Sequence, residues 1–438
     1  MKNESPPGCY IESIEIDQLF GETNIQIKAG RSADKRLLII YGQNGSGKTT
    51  ILELVRSMLS SDDNAGHRTR ICQIPFSRAS ISLSGGVVVD VKKRDGLLGA
   101  YDWSIKKPGQ EPLYLHLKPV SGRISSEAWD PSQGQRHDEM LAELQSIIGT
   151  VVSLDDKRTF YVADQHPSRI IERRMPDGKI VRVLDQTSTA EDEDDPVYVG
   201  LREIVSSVRR EALLLSNRGS QGAQSIYTTL INKILSSVHS VSSPVESIEE
   251  LSRQLVDSEK RSAVLAVYGL TSPVQHEPML AALAKVEESQ REVIANVISP
   301  YIESLSARLN AIQSLHDQLH HWIESLNSFF EPKTIKFKVG EEIQIRSKGG
   351  RTLQAKDLSS GERHLLLLMT KAFQLRSTGG VMLVDEPELS LNTVWQRGLI
   401  HSMLESFGGS RCQLIVASHS LEIAAKYESN LVNITADQ

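Results

Sequence analysis

The nine residues GQNGSGKTT, Gly42 to Thr50, follow the apolar run LLII and precede ILELV. They fit the pattern GxxxxGK[ST] through Gly42, Gly47, Lys48 and Thr49. No other feature limits the fold as much. The run before it reads as a buried strand, Leu37–Tyr41, and the run after it as a helix, Thr50–Leu59. A strand that turns through glycines into a helix puts free N–H groups and the positive helix end at one point. Glycine lets that backbone close around phosphate oxygens. A lysine at position 48 reaches the β- and γ-phosphates of a nucleotide, and the hydroxyl of Thr49 ligates Mg²⁺. Gly42, Asn44, Gly45, Ser46, Gly47, Lys48, Thr49 and Thr50 are therefore the candidate nucleotide contacts.

Composition narrows what surrounds this site. The chain has 438 residues, a formal charge of −6 and 24% charged residues. That length suits two to three domains with a sizeable core, and the acidic balance offers no global attraction to nucleic acid. Cys9, Cys72 and Cys412 are scattered, with neither metal-ligand nor disulfide spacing. No apolar run approaches the roughly 18–20 residues that span a bilayer. The start, MKNESPPGCY, lacks the apolar core of a signal peptide. A cytoplasmic location is expected.

Three textures follow one another along the chain. Residues 1–185 read as an N-terminal lobe rich in half-buried strands, among them YIESIEIDQLF, TNIQIKAG and the hairpin ASISLSGGVVVDVKKRDG. TFYVADQ and the hairpin IIERRMPDGKIVRVLD close that lobe. The acidic stretch QTSTAEDEDDPV reads as an exposed linker. Residues 186–330 then repeat apolar side chains at three- and four-residue spacing, the mark of a helical insertion, with Pro300 expected to kink it or to divide two helices. Within it, His316 and His320 stand four apart, but no glutamate base or further ligand accompanies them. They are read as solvated helix-surface histidines. Residues 331–438 form a C-terminal lobe with a strand hairpin, one apolar helix, and the continuous apolar runs GGVMLVDE and CQLIVASHS. Such runs suit parallel strands covered on both faces. The nucleotide domain thus starts before Lys48 and is completed only after Thr334.

Two further clusters carry chemistry. Asp385 and Glu386 end a buried strand, where ligands bind on open α/β sheets. Asp385 is placed to hold Mg²⁺ and Glu386 to polarise an attacking water. In LSSGERHLLLL, Ser359, Ser360, Gly361 and Glu362 open an apolar helix. Their N–H groups and hydroxyls face outward at a positive helix end. Ser359 and Glu362 also have capping-box spacing, and a cap and an anion site use the same geometry.

In this order the segments resemble the ABC-type ATPases: LSSGE resembles their signature, DEPELSLN their Walker B and D-loop, and ASHS their switch histidine. The resemblance implies an α/β fold: an ABC-type P-loop head of mixed sheet, helices and antiparallel β subdomain, carrying a helical insertion. It implies ATP and Mg²⁺ as cofactors, and two heads that close over two composite sites. Ser360 and Gly361 would then contact the nucleotide of the other copy, Asn392 or its neighbours would face the dimer, and His419 would sense the γ-phosphate. A glutamine joining metal to helical part is also expected, with Gln165 favoured over Gln73. No upstream aromatic is well placed for adenine, Tyr10 being the weak choice.

About 310 residues separate Lys48 from Gly361, which resembles the SMC, RecF and OLD-like group and not transporter subunits. The wording EPELSL…WQ and FFEPKTIKF…LSSGERHLLLL is similar to the ATPases of anti-phage modules such as Septu, PARIS and some retron systems. That resemblance implies an ATP-hydrolysing switch that gates an effector nuclease or toxin encoded separately, with no membrane partner. A DNA-maintenance role is the alternative, with VKKR, IERR and VRR as possible phosphate contacts. OLD-type proteins continue into a nuclease domain. No second acidic centre is visible here, so an effector is expected on another polypeptide.

Overall fold

The computed structural model describes residues 10–30, 34–62, 66–125, 129–154, 160–161, 170–174, 180–184, 195–236, 247–341 and 343–434. It divides into two compact units, one formed by residues 1–199 with 358–438 and the other by residues 200–357.

The first unit holds two six-stranded sheets. One is antiparallel and contains β1 (Ile11–Leu19), β2 (Thr23–Lys28), β4 (Arg78–Leu83), β5 (Val87–Lys93), β6 (Tyr101–Lys106) and β7 (Leu113–Leu117). Its order is β2-β1-β4-β5-β6-β7, and Gly85 and Gly86, both at positive φ, form the expected β4–β5 turn. The other contains β3 (Leu37–Tyr41), β8 (Thr150–Leu154), β9 (Phe160–Tyr161), β15 (Gly380–Asp385), β16 (Cys412–Ser418) and β17 (Leu431–Asn433). Its order is β17-β3-β16-β15-β8-β9, parallel throughout except for β9.

Both faces of the mixed sheet are covered, which is why β15 and β16 read as unbroken apolar runs. Leu38, Ile40, Leu383, Ile415 and Ala417 share one core with α1 (Lys48–Leu59), α2 (His67–Gln73), α3 (Pro131–Ile148) and the antiparallel sheet. The alternate residues, Ile39, Met382, Val384, Leu414 and Val416, are just as deeply buried. Against that sheet also lies α8 (Ser360–Thr378), whose run Leu365–Met369 is buried, and α8 packs on α9 (Thr393–Ser406). A short α10 (Leu421–Lys426) follows β16. Each Leu or Ile so buried stabilises the unit by about 1.5–3 kcal/mol. The amide of Gln413 ties the sheets together, accepting from Ile11 N at 2.8 Å and donating to Ile11 O and Lys35 O at 3.1 Å. The hairpin of β10 (Ile170–Arg174) and β11 (Ile180–Leu184) forms as its sequence predicts.

The second unit is built from the greater part of α4 (Pro196–Ser236), together with α5 (Ile248–Ala266), α6 (Glu277–Leu283) and α7 (Arg291–Phe330). Leu251, Leu255, Leu283, Ala295 and Ile302 form its core. Pro300 neither divides α7 nor ends it. The ring removes one helical hydrogen bond, and burial of Ile302, Leu305, Leu309 and Ile312 holds the helix through it. The unit closes at Asp357, later than the boundary expected near residue 330. The three-stranded sheet of β12 (Thr334–Lys336), β13 (Gln344–Arg346) and β14 (Thr352–Leu353) packs on α7, with Ile335 and Ile345 buried.

Candidate functional site

Adjacent strands bring the predicted residues together. Because β16 lies between β3 and β15, the carboxyl ends of these parallel strands deliver Gly42, Ser418 and Asp385 to one edge. Main-chain bonds lock them there: Gly42 N donates to Ser418 O at 3.4 Å and Glu386 N to Ala417 O at 2.8 Å.

The loop from Gly42 to Gly47 turns through two left-handed glycines, Gly45 at φ 84° and Gly47 at φ 86°. A side chain at Gly42 would meet Ser46 Oγ at 2.7 Å and Ile434 O at 3.3 Å, so the loop leaves little room for one there. Asn44 and Gly45 stand exposed at its tip, and Thr50 lies in the first turn of α1. Lys48 is 5% exposed, and its ammonium donates to Gly42 O at 2.8 Å and Gln43 O at 3.0 Å. Its charge is thus held over the loop and lies 3.9 Å from Glu386 Oε1. Thr49 Oγ1 donates to Asp385 Oδ2 at 2.5 Å. Ser46 Oγ is buried without a hydrogen-bond partner. An orphaned hydroxyl in a glycine cradle fits a phosphate oxygen, and a hydroxyl facing a buried carboxylate is an all-oxygen donor set that suits Mg²⁺.

Glu386 has φ 48°, a left-handed conformation that a non-glycine residue holds at a cost of about 1–3 kcal/mol. The turn aims its carboxylate at His419, whose Nδ1 lies 3.0 Å from Glu386 Oε2. Glu386 is thereby shared between a lysine and an imidazole. Glu388, 6% exposed, lies behind the same imidazole, with Oε1 at 3.4 Å from Nδ1. Sequence reasoning gave Glu388 no role; its signal is the glutamate two residues after Glu386 in DEPE.

The signature residues open α8. Ser359 caps the helix, its Oγ accepting from Glu362 N at 3.3 Å while Glu362 Oε2 accepts from Ser359 N at 2.8 Å. The capping box is therefore made, and Ser359 and Ser360 remain exposed. Gly361 is buried against the D-loop: a Cβ there would lie 2.4 Å from Ser390 O. Asn392 caps α9 by accepting from Trp395 N at 2.9 Å.

Other sequence readings fare differently. Gln165 and most of the acidic linker lie outside the described residues. Gln73, at the end of α2, is exposed and accepts from Arg70 at 3.4 Å. Tyr10 sits beside Ser84 at the start of β1, about 30 Å by strand rise from the opposite end. At that opposite end Phe20, 52% exposed and at φ 57°, places its ring edge 3.5 Å from the Cβ position of Gly47. His316 is not solvated. It is buried, stacks on His320 at 5.9 Å between ring centroids, and both rings lie against Tyr268, whose hydroxyl bonds His320 Nδ1 at 2.8 Å. In VKKR, Lys93 is buried and donates to Ile71 O at 2.6 Å, and Arg94 pairs with Asp102 at 2.9 Å. Lys93 is thus withdrawn from the surface, whereas Lys92 and Arg94 stay exposed. No described helix is long and apolar enough to cross a membrane.

Two family models match parts of the chain. Residues 14–112, with the phosphate loop, match the model described as "AAA domain". Residues 233–425, with the signature, Asp385, Glu386 and His419, match "AAA domain, putative AbiEii toxin, Type IV TA system". Together the two AAA-domain matches take in the phosphate loop and the segment that ends at His419. An Escherichia coli protein described as "Retron Ec83 probable ATPase" is 26% identical over 168 residues, covering 35% of this chain and 30% of that protein. The match therefore spans under a third of the relative's length. Among solved structures, the Smc head domain with an extended coiled coil, bound to the C-terminal domain of ScpA, from Pyrococcus furiosus, is 13% identical. That comparison covers 97% of this chain and 93% of the other at a TM-score of 0.41. The Smc head domain with a coiled coil and joint from Pyrococcus yayanosii is 13% identical over 96% of this chain and 94% of the other, with a TM-score of 0.38.

Proposed function

We propose that this chain binds and hydrolyses ATP as a switch. Two copies close over nucleotide, and the closed state gates a separate effector nuclease or toxin in anti-phage defence. The observation that carries the reading is the pairing of Glu386 with both Lys48, at 3.9 Å, and His419, at 3.0 Å, beside the Thr49–Asp385 pair. A carboxylate at that point polarises a water for in-line attack on the phosphate that Lys48 and the loop N–H groups hold. Thr49 and Asp385 would hold Mg²⁺, which supplies charge neutralisation to the phosphate oxygens when bound. Phe20 offers its exposed face to the base. Ser360 is exposed at the open end of α8, with Gly361 buried behind it, and these two residues would meet the other copy's nucleotide. The names of the matched family and of the retron relative support the defence setting.

The test is association. Glu386→Gln keeps the geometry and removes the base, so with Mg²⁺ and ATP it should sediment as a stable dimer and without ATP as a monomer. A monomer in both conditions sinks the gating scheme. A tagged Glu386→Gln chain captured from its host with ATP should bring down a nuclease- or toxin-like protein. DNA alone would move the reading to DNA maintenance.

A further inference from the structure

Glu388 is buried beside the site, and the hydrolytic chemistry leaves it unused. Its Oε1 accepts from Ser418 Oγ at 2.6 Å, His419 N at 3.0 Å and Ser420 N at 3.1 Å. Two consecutive main-chain N–H groups aimed at one anion fix the peptide between them, and a buried carboxylate makes these the stronger, charge-assisted kind of hydrogen bond. A second tie grips the same loop. Ser420 Oγ donates to Gln396 Oε1 at 2.9 Å, and Gln396 Nε2 donates to Leu391 O in the D-loop at 2.9 Å. The backbone at His419 is therefore pinned from both sides, while its ring is 43% exposed and is held by its side-chain contact with Glu386 at 3.0 Å.

Glu386, Glu388 and His419 present oxygen and nitrogen atoms within 4.8 Å of one another, a spacing that a metal ion could share. Glu388 Oε1, the oxygen 3.4 Å from Nδ1 of His419, already accepts three donors, while Oε2 is buried without a hydrogen-bond partner. The three donors on Oε1 all belong to the loop that carries His419, which points to a mechanical role.

We infer that Glu388 is the positioning residue for His419. It anchors the loop so that the imidazole stands against Glu386 and can swing to a γ-phosphate without the main chain moving. The inference rests on the proposed ATPase reading. Glu388 touches neither phosphate nor water in this scheme and acts only through His419.

Two measurements test it. In the nucleotide-free protein, Glu388→Gln should speed amide exchange of His419 and Ser420 about tenfold or more, because a neutral amide oxygen is the weaker acceptor. Exchange in the centre of β16 should stay unchanged. Unchanged exchange at residues 419–420 overturns the anchoring. In steady-state turnover, Glu388→Gln should lower kcat about tenfold with KM preserved, and Ser418→Ala, which removes one donor, should act in the same direction by less. Combined with His419→Ala, Glu388→Gln should add nothing, the sign that one residue works through the other. Full additivity, or wild-type kcat in Glu388→Gln, overturns the inference and leaves the ATPase reading standing. A wild-type chain that binds ATP without turnover overturns the ATPase reading, and the catalytic part of the inference falls with it.

Discussion

Replacing Gly361 by alanine separates packing from helix propensity. On propensity alone the change is favourable, because alanine loses less backbone entropy than glycine, by roughly 0.5–1 kcal/mol in a helix. The structure opposes it. The new Cβ would stand 2.4 Å from Ser390 O and 3.7 Å from Trp395 Cζ3. Relief requires the D-loop or the start of α8 to move by about 1 Å to reach ordinary contact. The D-loop has little slack: Leu391 N donates to Glu388 O at 3.0 Å, Leu389 N to Glu386 O at 3.1 Å, and Ser390 is already at φ 65°. Overpacking of this kind costs about 1–3 kcal/mol, which outweighs the propensity gain near the helix end. We expect a net loss of about 1–2 kcal/mol, a fall in Tm of about 2–4 °C for the first unit's transition. The assay is thermal and urea unfolding without nucleotide, with the exposed Ser360→Ala as control, expected within about 0.5 kcal/mol of wild type. A Gly361→Ala chain as stable as wild type, or more so, would refute the packing argument.

Three other outcomes follow from the same geometry. Lys48→Ala should weaken ATP binding at least about a hundredfold in equilibrium titration, since it removes the ammonium held over the loop. Phe20→Ala should weaken ATP binding about tenfold, the scale of one base–aromatic stack, while affinity for inorganic triphosphate stays the same. His67 is pushed down to about 3, first by burial and then by Arg56 and Arg68. Its folded value lies below its unfolded one, so its contribution is full above about pH 6.5 and is lost as pH falls from there towards about 3. Stability should therefore drop by up to about 1.4 kcal/mol per pH unit from this group, and His67→Gln should flatten urea-unfolding stability between about pH 6.5 and 5.

The fold was legible wherever local chemistry and global topology agreed. Glycines at 42, 45 and 47 between a strand and a helix leave few alternatives, and the apolar runs at 380–385 and 412–418 could only be covered parallel strands. Other elements escaped notice for physical reasons. The helix α3 announces itself by Asp130 as N-cap and Pro131 at its first position, but its apolar face is sparse, with Met140, Leu144 and Ile148 buried among polar neighbours. Strands β6 and β7 alternate weakly. The unit boundary at Asp357 depends on the β12–β14 sheet packing on α7, a long-range contact that no local pattern records. In the site, Lys48, Asp385 and His419 were visible because their motifs carry fixed chemistry. Glu388 was hidden because a buried glutamate acquires meaning only from the three donors that the fold brings to it. Phe20 was hidden because its neighbour across the turn, Gly47, is distant in sequence.

The most direct test of the central claim is Mg²⁺-dependent release of phosphate from ATP by the purified chain, wild type beside Glu386→Gln. The account predicts turnover in the wild type, and a loss of about a hundredfold or more in Glu386→Gln with ATP still bound at near-wild-type affinity. Equal turnover in both would contradict it, because the carboxylate paired with Lys48 and His419 would then not be the group that activates water.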